Sequence, residues 1–376
     1  MSRRGPTEGS VYRRASDGRW VGSIRTGGGE RSSVYASTQA EAIARLRALH
    51  GQLGAGLPVV DPRATVGKFL TAWLESVEPR LRPSTFARYS GLVRGQLVPR
   101  LGSIRLAKLQ PGDVGRMMAQ VQQDGLSART AAHCRAVLRA ALADGEKWGQ
   151  LGRNVARLAD APRVPAPEPV VLSAAAAHAV IAAMGDGQMA RLVTVALFTG
   201  LRLGEELALR WGDVDLDAGV LTVRRSLLRL GGAFTVGEPK SATSRRVVAL
   251  PPQAVAALSE ERAAQAEVRL AAGKSWRPGF GELVFSGPAG EPLVGPTVSQ
   301  RFQRHLRTAG LPHLRFHDLR AAHGALLLAS GTDISVVSRR LGHSSVALTS
   351  RHYGGVAEAL QRDAADRLGR LLQQPV

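Results

Sequence analysis

Two stretches rich in glycine and proline limit how this chain can fold. Gly51 to Pro62 (GQLGAGLPVVDP) and the run Pro162, Pro165, Pro167 and Pro169 both read as linkers, because proline lacks the N–H that a helix or central strand needs and fixes φ. The second, with its prolines closely spaced, reads as stiff and extended. Three segments are left to build their own cores, with expected domains at 1–55, 63–160 and 170–376. The chain has 376 residues, 44% of them hydrophobic and 21% charged, enough apolar material for two or three domains. No repeat of fixed period runs through it.

The first segment alternates like a small sheet, with Val11 and Tyr12, a turn at Asp17-Gly18, then Trp20, Val21 and Ile24, then Gly27 to Gly29, then Val34 and Tyr35. Thr38 with Glu41 three residues on is a capping box for a helix through Ala42, Leu46 and Leu49. In the second segment Val66, Phe69, Leu70, Trp73, Leu74 and Val77 fall on one helical stripe. Pro83, Pro111 and Ser127 open three further helices, the last carrying Cys134, Val137, Leu138, Ala141, Leu142 and Trp148. The third segment mixes an apolar helix from Ala190 to Phe198, three antiparallel strands (Val220 to Leu227, Ala233 to Val236, Arg245 to Leu250) and a helix from Val298 to Leu306. The expected fold class is therefore multidomain and mainly α with small β elements: a three-stranded sheet plus helix, a helical bundle and a mixed α+β domain.

Fifty Lys and Arg against thirty Asp and Glu leave a formal charge of +20 and a pI near 11.4, which predicts a polyanionic partner, nucleic acid first. Arg13, Arg14 and Arg25 lie on or beside the N-terminal strands, and Arg88, Arg94 and Arg135 on polar faces of the bundle. Each set either grips DNA phosphates or forms an ordinary solvated basic face; the two readings balance for the strands, and the charge of the whole chain favours DNA for the bundle. The single cysteine, Cys134, excludes an internal disulfide and a cysteine-rich zinc site and suits a reducing compartment. The first ten residues lack an apolar signal core, and no run of about 18 apolar residues occurs. The expectation is a cytoplasmic, nucleoid-associated protein without a membrane partner.

Chemistry concentrates between His313 and Tyr353, which hold five of the nine histidines and one of only four tyrosines. Further upstream, TGLRLGE at 199 to 205 breaks a helix at Thr199-Gly200 and restarts one, presenting Arg202 from a tight turn with Glu205 one turn later on the same face. Lys240 sits in the connection between the last two expected strands, in a chain that has only four other lysines; a group there that must move a proton explains lysine over arginine. A zinc set of His317, His323, His343 and His352 is the competing use of the cluster, but HExxH is missing and Cys134 lies in another segment. No metal is expected.

TGLRLGE at 199 to 205, Lys240, FHDLR at 316 to 320, LGHSS at 341 to 345 and Tyr353 ten residues after His343 together resemble the tyrosine recombinases, in particular phage-type integrases. The likeness extends to the layout: an arm-type DNA-binding domain, a helical core-site DNA-binding domain and a catalytic domain with a tail helix after Tyr353. It implies Tyr353 as nucleophile, Arg202, Lys240, His317, Arg320 and His343 around the scissile phosphate, and Glu205 orienting the first arginine. It implies no cofactor, a homotetramer on double-stranded DNA carrying core-type and arm-type sites, and accessory DNA-bending or directionality proteins. Where the family often continues RHT, this chain has Arg320-Ala321-Ala322. A DNA-binding regulator on the same fold would have no need of the complete set, and the extra N-terminal domain disfavours a chromosome-dimer resolvase.

Overall fold

The computed structural model describes residues 9–25, 31–54, 63–165, 172–237, 245–352 and 365, with backbone alone at 25, 31–32, 48–54, 348 and 351–352. By compactness the chain divides into two units, 1–166 and 167–376.

In the first unit β1 (Ser10–Arg13), β2 (Trp20–Arg25) and β3 (Arg31–Ala36) form an antiparallel meander in the order β1-β2-β3, with Tyr12 opposite Val21 and Val21 opposite Tyr35. Alternation sorts the two faces: Ile24 and Ala36 lie on the face that is buried with Ala42 and Leu46 of α1 (Gln39–Gly54), while Val21, also buried, lies on the opposite face between Tyr12 and Tyr35. Thr38 accepts from the Glu41 N–H at 3.3 Å, as the capping pattern predicts. The Glu41 carboxylate instead pairs with Ser37 and Arg45.

The helical part of this unit runs α2 (Val66–Val77), α3 (Pro83–Leu92), a π turn at Val93–Leu97, α4 (Val98–Leu101), α5 (Pro111–Gln123), α6 (Ala128–Lys147) and α7 (Val155–Leu158). All six residues of the expected α2 stripe are buried, each large side chain worth roughly 1.5–3 kcal/mol. Trp73 also donates its indole N–H to Asp144 at 2.9 Å and stacks on Tyr89 with centroids 5.9 Å apart. Thr65 and Ser127 cap α2 and α6. Along α6 the apolar residues of the sequence reading are buried except Trp148, which caps the helix and is 41% exposed. It lies six residues past Leu142, off the buried face, and the inward position belongs to Gly145. A Cβ at Gly145 would come within 2.9 Å of Leu151 and 3.0 Å of the Phe69 ring.

The second unit contains α8 (Ala174–Ala182), α9 (Gln188–Thr199), α10 (Leu203–Glu206), β4 (Val214–Asp215), β5 (Val220–Val223), β6 (Ser226–Leu230), β7 (Ala233–Gly237), β8 (Arg246–Ala249), α11 (Pro252–Ala272), α12 (Gly295–Thr308), α13 (Phe316–Ala329), α14 (Ile334–Leu341) and α15 (Val346–His352). Helix α9 packs against α11 and α13, over a core that includes Leu192, Val195, Phe285, Phe302 and Leu319. Helices α8 and α11 have no counterpart in the sequence reading, because their alanine-rich sequences leave little apolar contrast between faces. The expected strand Val220 to Leu227 is two strands in two sheets. It breaks at Arg224-Arg225, where Arg225 turns to Asp213 at 2.6 Å and Arg224 lies 3.7 Å from the same carboxylate. Strand β8 consequently pairs with β5 in the order β4-β5-β8, while β6 and β7 form their own two-stranded sheet.

Candidate active site

Helix α9 ends at Gly200, whose φ of 66° is a left-handed conformation that glycine adopts without penalty. The position is also crowded: a Cβ there would lie 2.6 Å from the His323 ring and 2.7 Å from Leu341. The turn delivers Arg202 as the residue capping α10, and the Glu205 side chain reaches back to it. Glu205 accepts the Arg202 backbone N–H at 3.0 Å and its Nη1 at 2.6 Å. Arg202 keeps 38% of its side chain exposed, whereas Glu205 is almost fully buried. A second guanidinium, Arg246 of β8, donates to the same carboxylate at 2.9 Å. Burial pulls the Glu205 pKa upward, but Arg246 first and Arg202 next outweigh it, and the carboxyl ends below its ordinary value.

Helix α13 carries three polar residues one turn apart. Its first turn is fixed by Asp318, which accepts from the Arg315 N–H at 2.8 Å and from its Nη2 at 2.7 Å. His317 projects from that turn at an exposed position. The protein packed around its ring lowers its pKa, and Arg320 and Arg202 push in the same direction against Asp318; the imidazole is therefore neutral at pH 7. Arg320 is buried and donates Nη1 to the Gly200 carbonyl at 2.6 Å and Nη2 to the Leu341 carbonyl. One guanidinium thus joins the turn before α10 to the end of α14.

Helix α14 closes on Gly342, with φ 63°, and presents His343. The His343 Nδ1 lies 2.7 Å from the hydroxyl of Thr349, which is fully buried. Behind the site, His323 is buried, with Nδ1 2.8 Å from the Leu197 carbonyl and Nε2 accepting from Arg340 Nε at 3.1 Å. Desolvation, with Arg340 and Arg320 nearby, lowers its pKa to about 3. His323 is a packing residue. His313 is exposed, and the His352 side chain lies outside the described residues.

The structure therefore brings Arg202, Glu205, His317, Arg320 and His343 together from segments more than a hundred residues apart. Lys240, Tyr353 and the tail helix expected after Tyr353 lie outside the described residues. Lys240 is expected between the last two strands; β7 and β8 belong to different sheets and do not pair with each other. Among the described residues no group of three or more His, Cys, Asp or Glu is arranged to hold a metal ion. Sequence reasoning missed Arg246, Arg340 and Thr349. Arg246 left a signal, being an arginine in phase with buried Val248 on a strand that alternates buried and exposed.

The basic residues of the first unit divide in two. Arg13 and Arg14 are exposed, Arg13 donating to the Gly18 carbonyl at 3.0 Å and Arg14 lying 5.8 Å from the Tyr35 ring centroid. Arg88 and Arg94 are exposed, while the Arg25 side chain is outside the described residues. Arg135 is half-buried and ties α6 to the Ala159 carbonyl at 2.8 Å.

The fold is that of the tyrosine recombinases. The Tn1549 transposon integrase in complex with a circular intermediate DNA aligns with a TM-score of 0.67 at 20% identity, over 80% of this chain and 99% of that one. A lambda integrase dimer bound to a core site aligns with a TM-score of 0.59 at 18% identity, over 94% and 96%. Residues 172–359, half of the chain, match the phage integrase family, and 65–118 match the phage integrase N-terminal SAM-like domain. The chain belongs to the phage integrase family and is a tyrosine-type site-specific recombinase of phage or mobile-element type. An integrase of Saccharopolyspora erythraea is 26% identical over 97% of both chains. A XerC-like tyrosine recombinase of Caldanaerobacter subterraneus subsp. tengcongensis is 25% identical over 91% of this chain and 92% of its own. No helix among the described residues is long and apolar enough to cross a membrane.

Proposed function

We propose that this recombinase cleaves and rejoins double-stranded DNA through a 3′-phosphotyrosyl intermediate and a Holliday junction, and so integrates or excises a mobile element. The observation that carries the reading is the convergence of Arg202, His317 and Arg320, whose cations act on the His317 imidazole from two distant segments. A phosphodiester gathers negative charge on its non-bridging oxygens on the way to cleavage, and fixed cations lower that barrier. Arg202, half open to solvent, supplies a fork for two of those oxygens. Arg320 contributes N–H groups from a guanidinium already anchored on two carbonyls.

Tyr353 Oη attacks phosphorus, the P–O5′ bond breaks, and Lys240 protonates the departing 5′ oxygen. His317, neutral at pH 7, accepts the phenolic proton, and His343 donates a hydrogen bond to the phosphate. The phosphotyrosine conserves the bond energy for rejoining, so the scheme requires no cofactor. The proposed organisation has three domains, 1–55 for arm-type sites, 63–160 for core-type sites and 170–376 for catalysis. Arg13, Arg14, Arg25, Arg88, Arg94 and Arg135 serve as phosphate contacts in the first two, Arg135 with the N–H groups that Ala159 leaves over. Four protomers assemble on two duplexes, with DNA-bending or directionality proteins alongside, in the nucleoid.

The test is trapping on a nicked duplex carrying a candidate attachment site. The wild-type chain should form an SDS-stable protein–DNA adduct whose labelled peptide contains Tyr353, and Tyr353→Phe should bind the duplex without forming it. An adduct that persists in that variant refutes the mechanism.

A further inference from the structure

We propose that Arg246 is a positioning residue for DNA cleavage, fixing the Glu205 carboxylate and, through it, the aim of the Arg202 guanidinium; this rests on Arg202 binding the scissile phosphate as read above. The two Glu205 oxygens have separate duties. Oε1 takes Arg202 Nη1 at 2.6 Å, while Oε2 takes the Arg202 N–H at 3.0 Å and Arg246 Nη2 at 2.9 Å. The carboxylate and Arg246 are both buried, with side chains 3% and 6% exposed, whereas Arg202 opens to solvent. Arg246 thus approaches Glu205 from the protein side, and Arg202 faces the space where a phosphate would lie.

Arg246 also donates Nε to the Arg340 carbonyl at 2.6 Å. That carbonyl lies in the last turn of α14, whose next residue accepts from Arg320 and whose cap leads into His343. A single planar guanidinium, with donors set at fixed angles, therefore spans from the Arg202–Glu205 turn to the His343 turn, a geometry that a lysine point charge does not reproduce. Arg340 continues the brace, reaching the Phe198 and Ala249 carbonyls at 2.9 Å each. Burial alone would favour a neutral Glu205, and Arg246 is the strongest influence against it. Without Arg246 the carboxyl takes up a proton more readily, and its hold on Arg202 weakens as pH falls.

The experiment measures single-turnover formation of the SDS-stable adduct by the full chain, on a nicked duplex that the wild type converts, from about pH 6 to 9. Arg246→Gln should bind the duplex as the wild type does but cleave it roughly a hundredfold more slowly near pH 7, the loss expected from a misplacement of about an ångström. Its rate relative to wild type should climb with pH as Glu205 ionises. Arg246→Lys should recover part of the rate at most. The double variant Glu205→Gln/Arg246→Gln, which removes both buried charges and so avoids an unpaired one, should be slow with a relative rate flat in pH. A wild-type rate in Arg246→Gln, or a deficit constant across the pH range, overturns the proposal. If that single variant does not fold, wild-type cleavage by the double variant overturns it and slow, pH-flat cleavage supports it. Tyr353→Phe on the same duplex reports separately on the cleavage reading itself.

Discussion

Glu206 offers a sharp test of the energetics of the turn that holds the site. It follows Glu205 on α10 but faces the core: it is fully buried, and neither carboxyl oxygen has a hydrogen-bond partner among the described residues. Burial drives its pKa well above its ordinary value, so folding favours the neutral acid. A buried polar group without a partner destabilises by roughly 1–3 kcal/mol. Glu206→Leu replaces it with an apolar side chain of similar volume and should stabilise the second unit by about 2 kcal/mol near pH 4, where the unfolded carboxyl is still largely protonated. For a unit of roughly 200 residues that is a rise in Tm of about 4–8 °C. The sign of the pH dependence follows from the raised folded pKa. Above the unfolded value the folded state keeps a proton that the unfolded chain releases, so wild-type stability falls as pH rises, by about 1.4 kcal/mol per unit, until the folded pKa is passed. Calorimetry of the full chain at several pH values should show the gap between Glu206→Leu and wild type widening from acid to alkaline. A variant that is no more stable, or a gap that does not grow, refutes the account of Glu206 as a neutral, unpartnered acid.

Three further outcomes are expected. His323, with a folded pKa of about 3, contributes stability that is complete above the unfolded value near 6.5 and lost as pH falls from there towards 3; its ring carbon NMR shifts should not titrate between pH 8 and 5, and a midpoint near 6.5 contradicts the buried contact. Gly200→Ala forces a Cβ into a left-handed turn against His323 and Leu341, and should lower stability by about 2–5 kcal/mol in denaturant unfolding, where a change under 1 kcal/mol would show that the turn relaxes freely. Arg202→Ala should slow adduct formation by about 3–4 kcal/mol of barrier, the loss of one oxyanion donor, with duplex affinity changed far less; equal losses in rate and affinity would assign it to binding alone.

The helical bundle was legible because its information is local. The spacing of Val66 to Val77 and the capping signals at Thr38, Pro83, Pro111 and Ser127 depend only on residues within a turn or two, and all reappear in the structure. Failures came where local contrast was weak or tertiary pairing intervened. Alanine-rich α8 and α11 have no pronounced apolar face, and the strand after Val220 breaks because Asp213, outside the strand, draws Arg224 and Arg225 to itself.

For the site, the sequence by itself determined the candidates: a basic chain, a glycine turn before Arg202, and the cluster from His317 to Tyr353. Tertiary structure decided how those candidates are held. Glu205 became the shared acceptor of two arginines, Arg320 an anchored brace between the Gly200 and Leu341 carbonyls, and His323 a neutral buried packing residue. The difference is physical: periodicity and turn chemistry are written in neighbouring residues, whereas burial, and with it charge state and hydrogen-bond partner, belongs to residues that meet only after the chain has folded.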